Sequence, residues 1–219
     1  MRILIVAATE AEIRPLKESQ DSRIKNQGSN SLPSGEGWGG AAFLITGVGM
    51  VATAFALGNH LATNKYDLII NLGIAGSFDS SIKLGEVVEI IEDTFAELGA
   101  ENDEQFLPLE ILGFGETTYK PNDHPFINIK QVTAITVNKV HGNQNSIDSV
   151  VKRLNPQLES MEGASVFYAC KQAGVACVQI RAVSNYVEKR NRDAWQIGLA
   201  VKNLNIFAID LLHVLTNKV

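Results

Sequence analysis

The chain has 219 residues, of which 45% are hydrophobic and 20% charged, and its formal net charge is −5. This length is sufficient for one α/β domain with a substantial core, and the composition is ordinary for a globular protein. The negative charge and the lack of a long Lys/Arg cluster exclude nucleic acid as a partner, and no apolar run is predicted to span a membrane.

The first predicted element is a strand over residues 3–8, an apolar run of the type buried on both faces of a parallel sheet. Thr9 and Glu12 follow it in the T-x-x-E pattern of a capping box, which gives Glu12 a structural explanation at the start of a helix. Residues 20–40 are polar, and their GEGWGG segment is predicted to be a turn between strands. This hexamer has the form GxGxxG, but it precedes a strand and is therefore not read as a nucleotide-binding motif.

The next strand, over 42–46, leads through Gly47 and Gly49 into a helix that ends near Ala62. The resulting GxGxxA pattern is the best indication of a dinucleotide site in the chain. However, the acidic residue about 20 positions later, Asp67, begins a strand, whereas the dinucleotide fingerprint requires an acid at a strand end. The two glycines also suggest backbone N–H groups available at a helix N-terminus, where they suit an anion or a polarised water.

A strand over 67–72 is followed by Gly73-Ile74-Ala75-Gly76, whose glycines allow the main chain to approach a flat ligand closely. Another strand is predicted over 86–92. Residues 96–130 are predicted to be irregular, and a loop of this length is usually a lid, a binding loop or an interface. Phe106 within it is a candidate to close over a ligand or a neighbouring subunit.

The segment after a strand over 132–137 and a helix over 147–154 is the most informative part of the chain. Met161 and Glu162 begin a helix that ends at Gly174, and a strand over 175–183 then finishes in a polar cluster. The members of this cluster are Arg181, Ser184, Asn185 and Tyr186. Ligands of open α/β sheets bind outside the carboxyl ends of the strands, so this cluster predicts a binding crevice. The structural alternative is that Glu162 caps its helix and pairs with Arg181.

The last predicted helix runs over 193–214. Its predicted core-facing residues are Trp195, Ile197, Leu199, Leu204, Phe207 and Leu211. Alternating strands and helices predict a single three-layer α/β/α domain over 1–219, with a central, mostly parallel mixed sheet. Cys170 and Cys177 lack CxxC spacing and fit small buried hydrophobes in a reducing cytoplasm.

Four stretches together carry a resemblance to a known family: AATEAEI, TGVGMVA, INLGIAGSF, and SMEGAS with RAVSNYVE. In order and spacing they resemble the nucleoside phosphorylase/nucleosidase superfamily, nearest its methylthioadenosine/adenosylhomocysteine nucleosidase branch. The resemblance spans nearly the whole chain. It implies a cytoplasmic enzyme without metal or organic cofactor, which acts on a small nucleoside and forms homo-oligomers.

The resemblance also implies roles for individual residues. Glu12 would orient or deprotonate the attacking water, with Arg181 beside it. Glu162 would accept hydrogen bonds from the ribose 2′- and 3′-hydroxyls, and Met161 would pack under the sugar. The Gly47 turn and the Ile74, Ala75 and Gly76 segment would contact the substrate.

Asn185 departs from the adenine-specific nucleosidases, which carry Asp at this position. A carboxamide cannot supply a proton, but it can donate to a 6-oxo group and accept from a protonated N7. This pairing predicts a 6-oxopurine nucleosidase, with roughly 10⁴-fold rejection of a 6-aminopurine in a well-built site.

Water is predicted as the nucleophile, because the carboxylates of Glu10 and Glu12 would repel phosphate and Arg14 is expected to point away. Methylthioadenosine/adenosylhomocysteine nucleosidase and purine nucleoside phosphorylase activities remain alternatives, as does a non-catalytic nucleoside- or dinucleotide-binding module. His141 is left outside the catalytic set as a structural histidine. Arg190 or Arg192 could meet a carboxylate at the far end of the substrate.

Overall fold

The computed structural model describes residues 1–26, 41–122 and 127–216, in which strands and helices alternate. The central sheet consists of β1 (Ile3–Ala7), β2 (Ala41–Ile45), β3 (Leu68–Ser77), β4 (Val87–Phe95), β7 (Thr118–Tyr119), β8 (Gln131–Thr136), β9 (Leu158–Ser160) and β10 (Ala176–Tyr186). A separate hairpin consists of β5 (Gly99–Asn102) and β6 (Gln105–Pro108). The helices are α1 (Glu10–Asn26), α2 (Met50–Thr63), α3 (Leu109–Leu112), α4 (Gln144–Leu154), α5 (Gly163–Ala173) and α6 (Ile197–Thr216). The GEGWGG segment lies outside the described residues.

The sheet is mixed and closes on itself around β3. Parallel pairs join β1 to β2 and β3, β3 to β10, and β8 to β4 and β9, whereas β10 with β4 and β9 with β3 are antiparallel. Strands β3, β10, β4, β8 and β9 therefore form a ring, from which β1 and β2 extend.

Helices cover the sheet on two sides, which confirms the predicted three-layer α/β/α class. On one side Leu57 of α2 and Phe167 of α5 pack into a core cluster with the sheet. On the other side Ile13 of α1 and Leu204 of α6 belong to a second cluster. The strands between the two layers are buried on both faces, in agreement with their continuous apolar sequences.

Several strand boundaries differ from the prediction. β3 continues through Gly73 to Ser77, because these residues pair with β10 along its whole second half. β10 likewise continues to Tyr186, so its polar cluster lies within the strand. The short strand β9 was not predicted; its three residues are too few to show a pattern.

The segment predicted to be irregular, 96–130, contains the β5–β6 hairpin, α3 and β7. The Arg153 guanidinium carbon lies 4.1 Å from the centre of the Phe106 ring. Closure of Phe106 over a ligand or a neighbouring subunit stays a prediction.

The last helix, α6, begins at Ile197 after a 3-10 turn, Arg192–Ala194. Ile197 and Leu199 were predicted to face the core but are exposed, and Trp195 precedes the helix. By length and composition alone, Arg192–Thr216 would also suit a membrane span, which the sequence prediction did not anticipate. The face of α6 that carries Leu204, Ala208, Leu211 and Leu212 is buried against the sheet, as in the core helix of a globular domain.

Candidate active site

The candidate site lies where one edge of β3 changes its partner. Residues Leu68 to Asn71 of β3 pair with β1, whereas Gly76 and Ser77 pair with β9. Among the described residues, no strand pairs with the edge between them, 72–75, so the sheet opens there. The carboxyl ends of β1 and β2 point at the same opening, as expected of a binding crevice at a topological switch point.

Glu12 reaches into this opening from the first turn of α1. Its Oε2 accepts hydrogen bonds from the Thr9 N–H and the Thr9 Oγ1, both at 2.9 Å, so the glutamate side of the predicted capping box forms. The Glu12 N–H donates to the Thr9 carbonyl at 3.3 Å. Its Oε1 accepts from the Ile74 N–H at 3.2 Å. The same carboxylate thus holds the helix start and bridges it to the unpaired edge of β3.

Glu162 lies at the start of α5 but does not cap that helix with its side chain. Its Oε1 accepts from the Gly49 N–H at 2.9 Å, and its Oε2 accepts from the Met161 N–H at 3.3 Å. Burial raises the pKa of Glu162; the hydrogen bond from Gly49 and the charge of Arg181 oppose this shift, and the charge of Glu12 adds to it. The capping explanation for Glu162 was therefore wrong.

The glycine turn before α2 is built around Glu162. Gly47 and Gly49 have φ values of +85° and +96°, which favour glycine. The Gly47 N–H donates to the Ala8 carbonyl at 3.1 Å, and the Gly49 N–H donates to Glu162. Both N–H groups that the sequence suggested for an anion are thus used within the protein.

Arg181 is a buried cation, 2% exposed, on β10 beneath the opening. Its Nη2 donates to Asn71 Oδ1 at 2.6 Å, and its Nη1 donates to the Ile180 carbonyl at 3.1 Å. Burial lowers the pKa of Arg181, and the charges of Glu162, Asp93 and Glu12 oppose that shift. The guanidinium is therefore a fixed positive charge between the two candidate carboxylates.

Gly73 lies between the side chains of Arg181 and Glu12. A Cβ at Gly73 would lie 3.2 Å from Glu12 Oε1 and 3.3 Å from Arg181 Nη1, so both side chains approach the bare Cα of this residue. The glycine thus keeps the cation and the carboxylate close together.

A second buried carboxylate, Asp93, lies under the start of α5. It accepts from Thr136 Oγ1 at 2.8 Å and from Gln179 Nε2 at 3.0 Å, and burial raises its pKa to about 6. Thr136 Oγ1 in turn accepts from the Ala164 N–H at 2.7 Å. A Cβ at Gly163 would clash with Asp93 and Gln179, so the glycine after Glu162 fixes the approach of α5. The sequence reading missed Asp93 because it lies in an otherwise ordinary strand.

Asn185 lies at a β-bulge near the end of β10, opposite Gly76 of β3. Its Oδ1 accepts from Ser184 Oγ at 2.7 Å, and its Nδ2 donates to the Tyr186 carbonyl at 3.0 Å. An amide has two N–H groups and two oxygen lone pairs, so one donor and one acceptor remain for a ligand.

The other candidate residues lie around the same opening. Ile74 and Met161 are half-buried, and Ala75 is buried beside Gly76. Arg14 is exposed on α1. Among the described residues, no group of three or more His, Cys, Asp or Glu is placed to hold a metal ion.

Sequence reasoning left out a pair at the Gly76 end of the opening. His141 Nδ1 lies 2.6 Å from Glu159 Oε2, and the His141 ring is in edge contact with Phe78. The available signal was Glu159 itself, an acidic residue two positions before the Met161-Glu162 pair.

Arg190 and Arg192 lie over the ring of Trp195, with guanidinium carbons 5.2 and 5.9 Å from its centre. The Arg190 N–H donates to the Gly142 carbonyl, next to His141. Arg190 is therefore on the Gly76 side of the site.

An apolar cavity of about 800 Å³ lies beside the opening and contains none of the candidate catalytic side chains. Residues of α2, α5 and the segment after β4 form its walls. They include Met50, Phe55, Phe95, Phe114, Tyr119 and Tyr168.

Comparison with known proteins confirms the resemblance inferred from the four motifs. The chain is 35% identical over 182 residues to the futalosine hydrolase of Streptomyces coelicolor, covering 77% of this chain and 76% of that protein. It is 26% identical over 243 residues to the 5′-methylthioadenosine/S-adenosylhomocysteine nucleosidase of Colwellia psychrerythraea, covering 100% and 98%. The solved native structure of futalosine hydrolase from Helicobacter pylori strain 26695 matches with a TM-score of 0.77 at 15% identity, covering 97% of both chains. A family model described as the phosphorylase superfamily matches residues 2–217, so the chain belongs to the phosphorylase superfamily.

Proposed function

We propose that this chain is an N-ribosyl hydrolase that removes hypoxanthine from futalosine, a reaction that belongs to menaquinone biosynthesis. The observation that carries this proposal is the convergence of Glu12, Glu162, Arg181 and Asn185 on one opening of the sheet. The 35% identity to a futalosine hydrolase supports the choice of substrate. The active unit is a single domain over 1–219.

Glu12 and Glu162 divide the chemistry of ribosyl transfer between them. Cleavage of a ribosyl C–N bond passes through an oxocarbenium-like sugar, as in glycoside hydrolysis. Glu12 deprotonates or orients water, and Glu162 accepts hydrogen bonds from the two ribose hydroxyls while Met161 packs under the sugar. The fixed charge of Arg181 favours the ionised form of Glu162.

Asn185 recognises the base. Its remaining N–H donates to the 6-oxo group of hypoxanthine, and its remaining lone pair accepts from the protonated N7. The 6-amino group of adenine would face this donor, so a 6-aminopurine is rejected. Ile74, Ala75 and Gly76 contribute the main-chain surface along which the nucleoside lies.

Water is the nucleophile in this proposal. Phosphate binding needs several Arg or Lys donors, since bidentate guanidinium contacts hold its oxygens. Arg181 is already bonded to Asn71 and Ile180, and Arg14 is exposed on the outer surface of α1. Glu12 would also repel the anion.

The test is release of free base from futalosine, inosine and methylthioadenosine, each with and without phosphate. We expect hypoxanthine from futalosine at a rate that phosphate does not change. Faster release of adenine from methylthioadenosine would favour methylthioadenosine/adenosylhomocysteine nucleosidase, and strict phosphate dependence would favour a purine nucleoside phosphorylase. Tight binding of a nucleoside or NAD without turnover would favour a binding module.

We also infer that the chain forms homo-oligomers in the cytoplasm. One surface, here called the α2 surface, is apolar and exposed next to the cavity described above. It consists of Val48, Val51, Phe55, Ile111 and Phe114, each between 57% and 78% exposed. Contiguous exposed apolar surface of this kind is typical of interfaces between proteins. The two cysteines are unpaired and buried, which suits a reducing compartment.

A further inference from the structure

The pair of His141 and Glu159 has no role in the mechanism above. Glu159 Oε2 lies 2.6 Å from His141 Nδ1, and Glu159 Oε1 accepts from the His141 main-chain N–H at 3.0 Å. The side chains of His141 and Glu159 are only 10% and 3% exposed. One carboxylate thus contacts both the ring and the main chain of His141, which fixes the orientation of the ring. Nδ1 faces Glu159, and Nε2, on the other side of the ring, points away from Glu159.

The pair lies beside Asn185 on the same face of β3. Gly76 is paired with Asn185 of β10 on one side and with Glu159 of β9 on the other. A Cβ at Gly76 would lie 3.2 Å from Asn185 Nδ2 and 3.6 Å from Glu159 Cγ. Directly paired residues project to the same face of a sheet, so both side chains border the space above Gly76.

This space is at the base end of the site. Glu12 contacts Ile74, and Asn185 lies opposite Gly76. Strand residues rise about 3.3 Å each. The position of the attacking water, beside Glu12, and the position of the base, beside Asn185, are therefore separated along β3 by a distance that a nucleoside can span. Through its contact with Glu159, His141 therefore lies at the end of the site where Asn185 would receive the purine.

A departing purine needs a proton, and Asn185 cannot supply one. Protonation of the leaving group by a positioned acid accelerates such reactions by about 10²–10⁴-fold. His141 carries a transferable proton on Nε2 when its ring is protonated, and the Glu159 carboxylate 2.6 Å from Nδ1 is placed to accept the hydrogen bond of that ring.

The charged groups around the ring are compatible with this form. Glu159 faces it from β9, and the charge of Glu97, after β4, is close enough to act on Glu159. Arg190 approaches Gly142 through its main chain and Cβ, while its guanidinium lies over Trp195. Phe78 contributes the edge contact and no charge. Burial raises the pKa of Glu159, and the hydrogen bonds from His141 oppose that shift.

We propose that His141, oriented by Glu159, is the acid that protonates the leaving purine. The inference rests on the nucleosidase function proposed above. As the C1′–N9 bond breaks, its electron pair moves onto the purine, and the proton on His141 Nε2 transfers to N7, whose N–H then donates to Asn185 Oδ1. Water adds to C1′ and gives its proton to Glu12, and exchange with solvent restores both residues.

The test measures how fast His141→Gln and Glu159→Gln hydrolyse two substrates that differ in their leaving group. The substrates are futalosine, whose base needs a proton, and 4-nitrophenyl β-D-ribofuranoside, whose phenolate leaves without one. We expect kcat on futalosine to fall by about 10²-fold or more in His141→Gln, with KM little changed and with loss of the decline in kcat at alkaline pH. Turnover of the nitrophenyl riboside should stay within a few-fold of the unaltered protein.

The matched control is His60→Gln, a histidine on α2 whose ring nitrogen bonds to the Tyr66 hydroxyl at 2.8 Å. It should leave both substrates unaffected. Equal losses on both substrates, or full activity of His141→Gln on futalosine, would overturn the acid role.

The unaltered protein provides a test that no folding defect can obscure. Its alkaline decline in kcat should appear with futalosine and be absent with the nitrophenyl riboside; the same decline with both substrates would count against His141. If the unaltered protein released no base from any nucleoside, the nucleosidase function itself would fail, and this role with it.

Discussion

Glu10 and Glu12 stand two positions apart at the start of α1, yet their carboxylates have different surroundings. Glu10 is exposed and bonded to Lys17 at 2.8 Å, whereas Glu12 is held by Thr9 and Ile74 in the opening of the sheet. Glu12→Gln should lower kcat by about 10²–10⁴-fold, because an amide cannot take a proton from water. Glu10→Gln should retain full activity, since an exposed ion pair contributes little. Steady-state hydrolysis of futalosine by the two variants tests this contrast, and equal rates would remove Glu12 from the mechanism.

Asn185 permits a prediction about specificity. In Asn185→Asp the donor N–H is lost, and a protonated Asp can instead donate to N7 of a 6-aminopurine while its other oxygen accepts from the amino group. The ratio of kcat/KM for methylthioadenosine to that for futalosine should rise by about 10²-fold or more. Both substrates are measured on the same preparation, so the ratio is unaffected by the amount of folded protein. An unchanged ratio would mean that other residues select the base.

Asp93 links pH to stability. Its pKa is about 6 in the folded protein against 3.8 for an unburied carboxyl, so the folded state binds more protons between these values. Stability should therefore fall as pH rises through this range, and by about 3 kcal/mol in total. In Asp93→Asn this fall should disappear, because an amide does not titrate. Gln179 Oε1, which has no hydrogen-bond partner among the described residues, can turn to accept from the new amide. Urea unfolding of the unaltered protein and of Asp93→Asn, at pH 4.5 and at pH 8, measures the free energy of unfolding. If the substitution lowered this free energy equally at both pH values, the prediction would be contradicted.

At the scale of the element, the start of α5 depends on a glycine. Gly163→Ala should destabilise the protein by about 1–3 kcal/mol, since its Cβ would clash with Asp93 and Gln179. It should also reduce kcat, because Glu162 precedes it. Gly198→Ala in the first turn of α6 is the control: a Cβ there meets no atom of the described residues within 4 Å, so stability should not fall. Thermal unfolding of the two variants is the measurement, and equal stabilities would disprove the tight packing at Gly163.

Sequence patterns predicted elements well where a single physical signal dominates. The apolar run of β1 and the T-x-x-E pattern at Thr9 are local signals; the strand forms as predicted, and Glu12 bonds back to the Thr9 N–H. The continuation of β3 through Gly73 was missed because glycine is a poor strand former and only pairing with β10 stabilises it.

Contacts between distant residues account for the rest of what the sequence could not predict. The unpaired edge of β3, the buried Asp93 and the His141–Glu159 pair each depend on which strands become neighbours. The candidate residues came from motif resemblance; a single sequence contains no signal for the hydrogen bonds that hold them. Glu162 is an example: its position suggested a cap, and its partner is Gly49, 113 positions away.

At the scale of the whole molecule, the α2 surface predicts self-association. Phe55 is 76% exposed on this surface, so Phe55→Lys should shift the protein from oligomer to monomer by inserting a charge into the contact. Ile206→Lys is the control, because Ile206 is a comparably apolar exposed residue on α6, in the opposite helical layer. Light scattering measures both masses. A monomeric unaltered protein would refute the inference.

The closed ring of strands has a consequence for how the chain folds. β10 fills the gap between β3 and β4, so the early strands keep two open edges until the late strand arrives. Arg181 and Asn71, which join across this seam, are 110 positions apart, and such non-local pairing makes folding slow. The site residues on β10 are then the last to reach their folded positions. Until β10 pairs, the chain exposes unpaired strand edges that are prone to aggregation. Activity should therefore appear only at the final step of folding, together with resistance to aggregation.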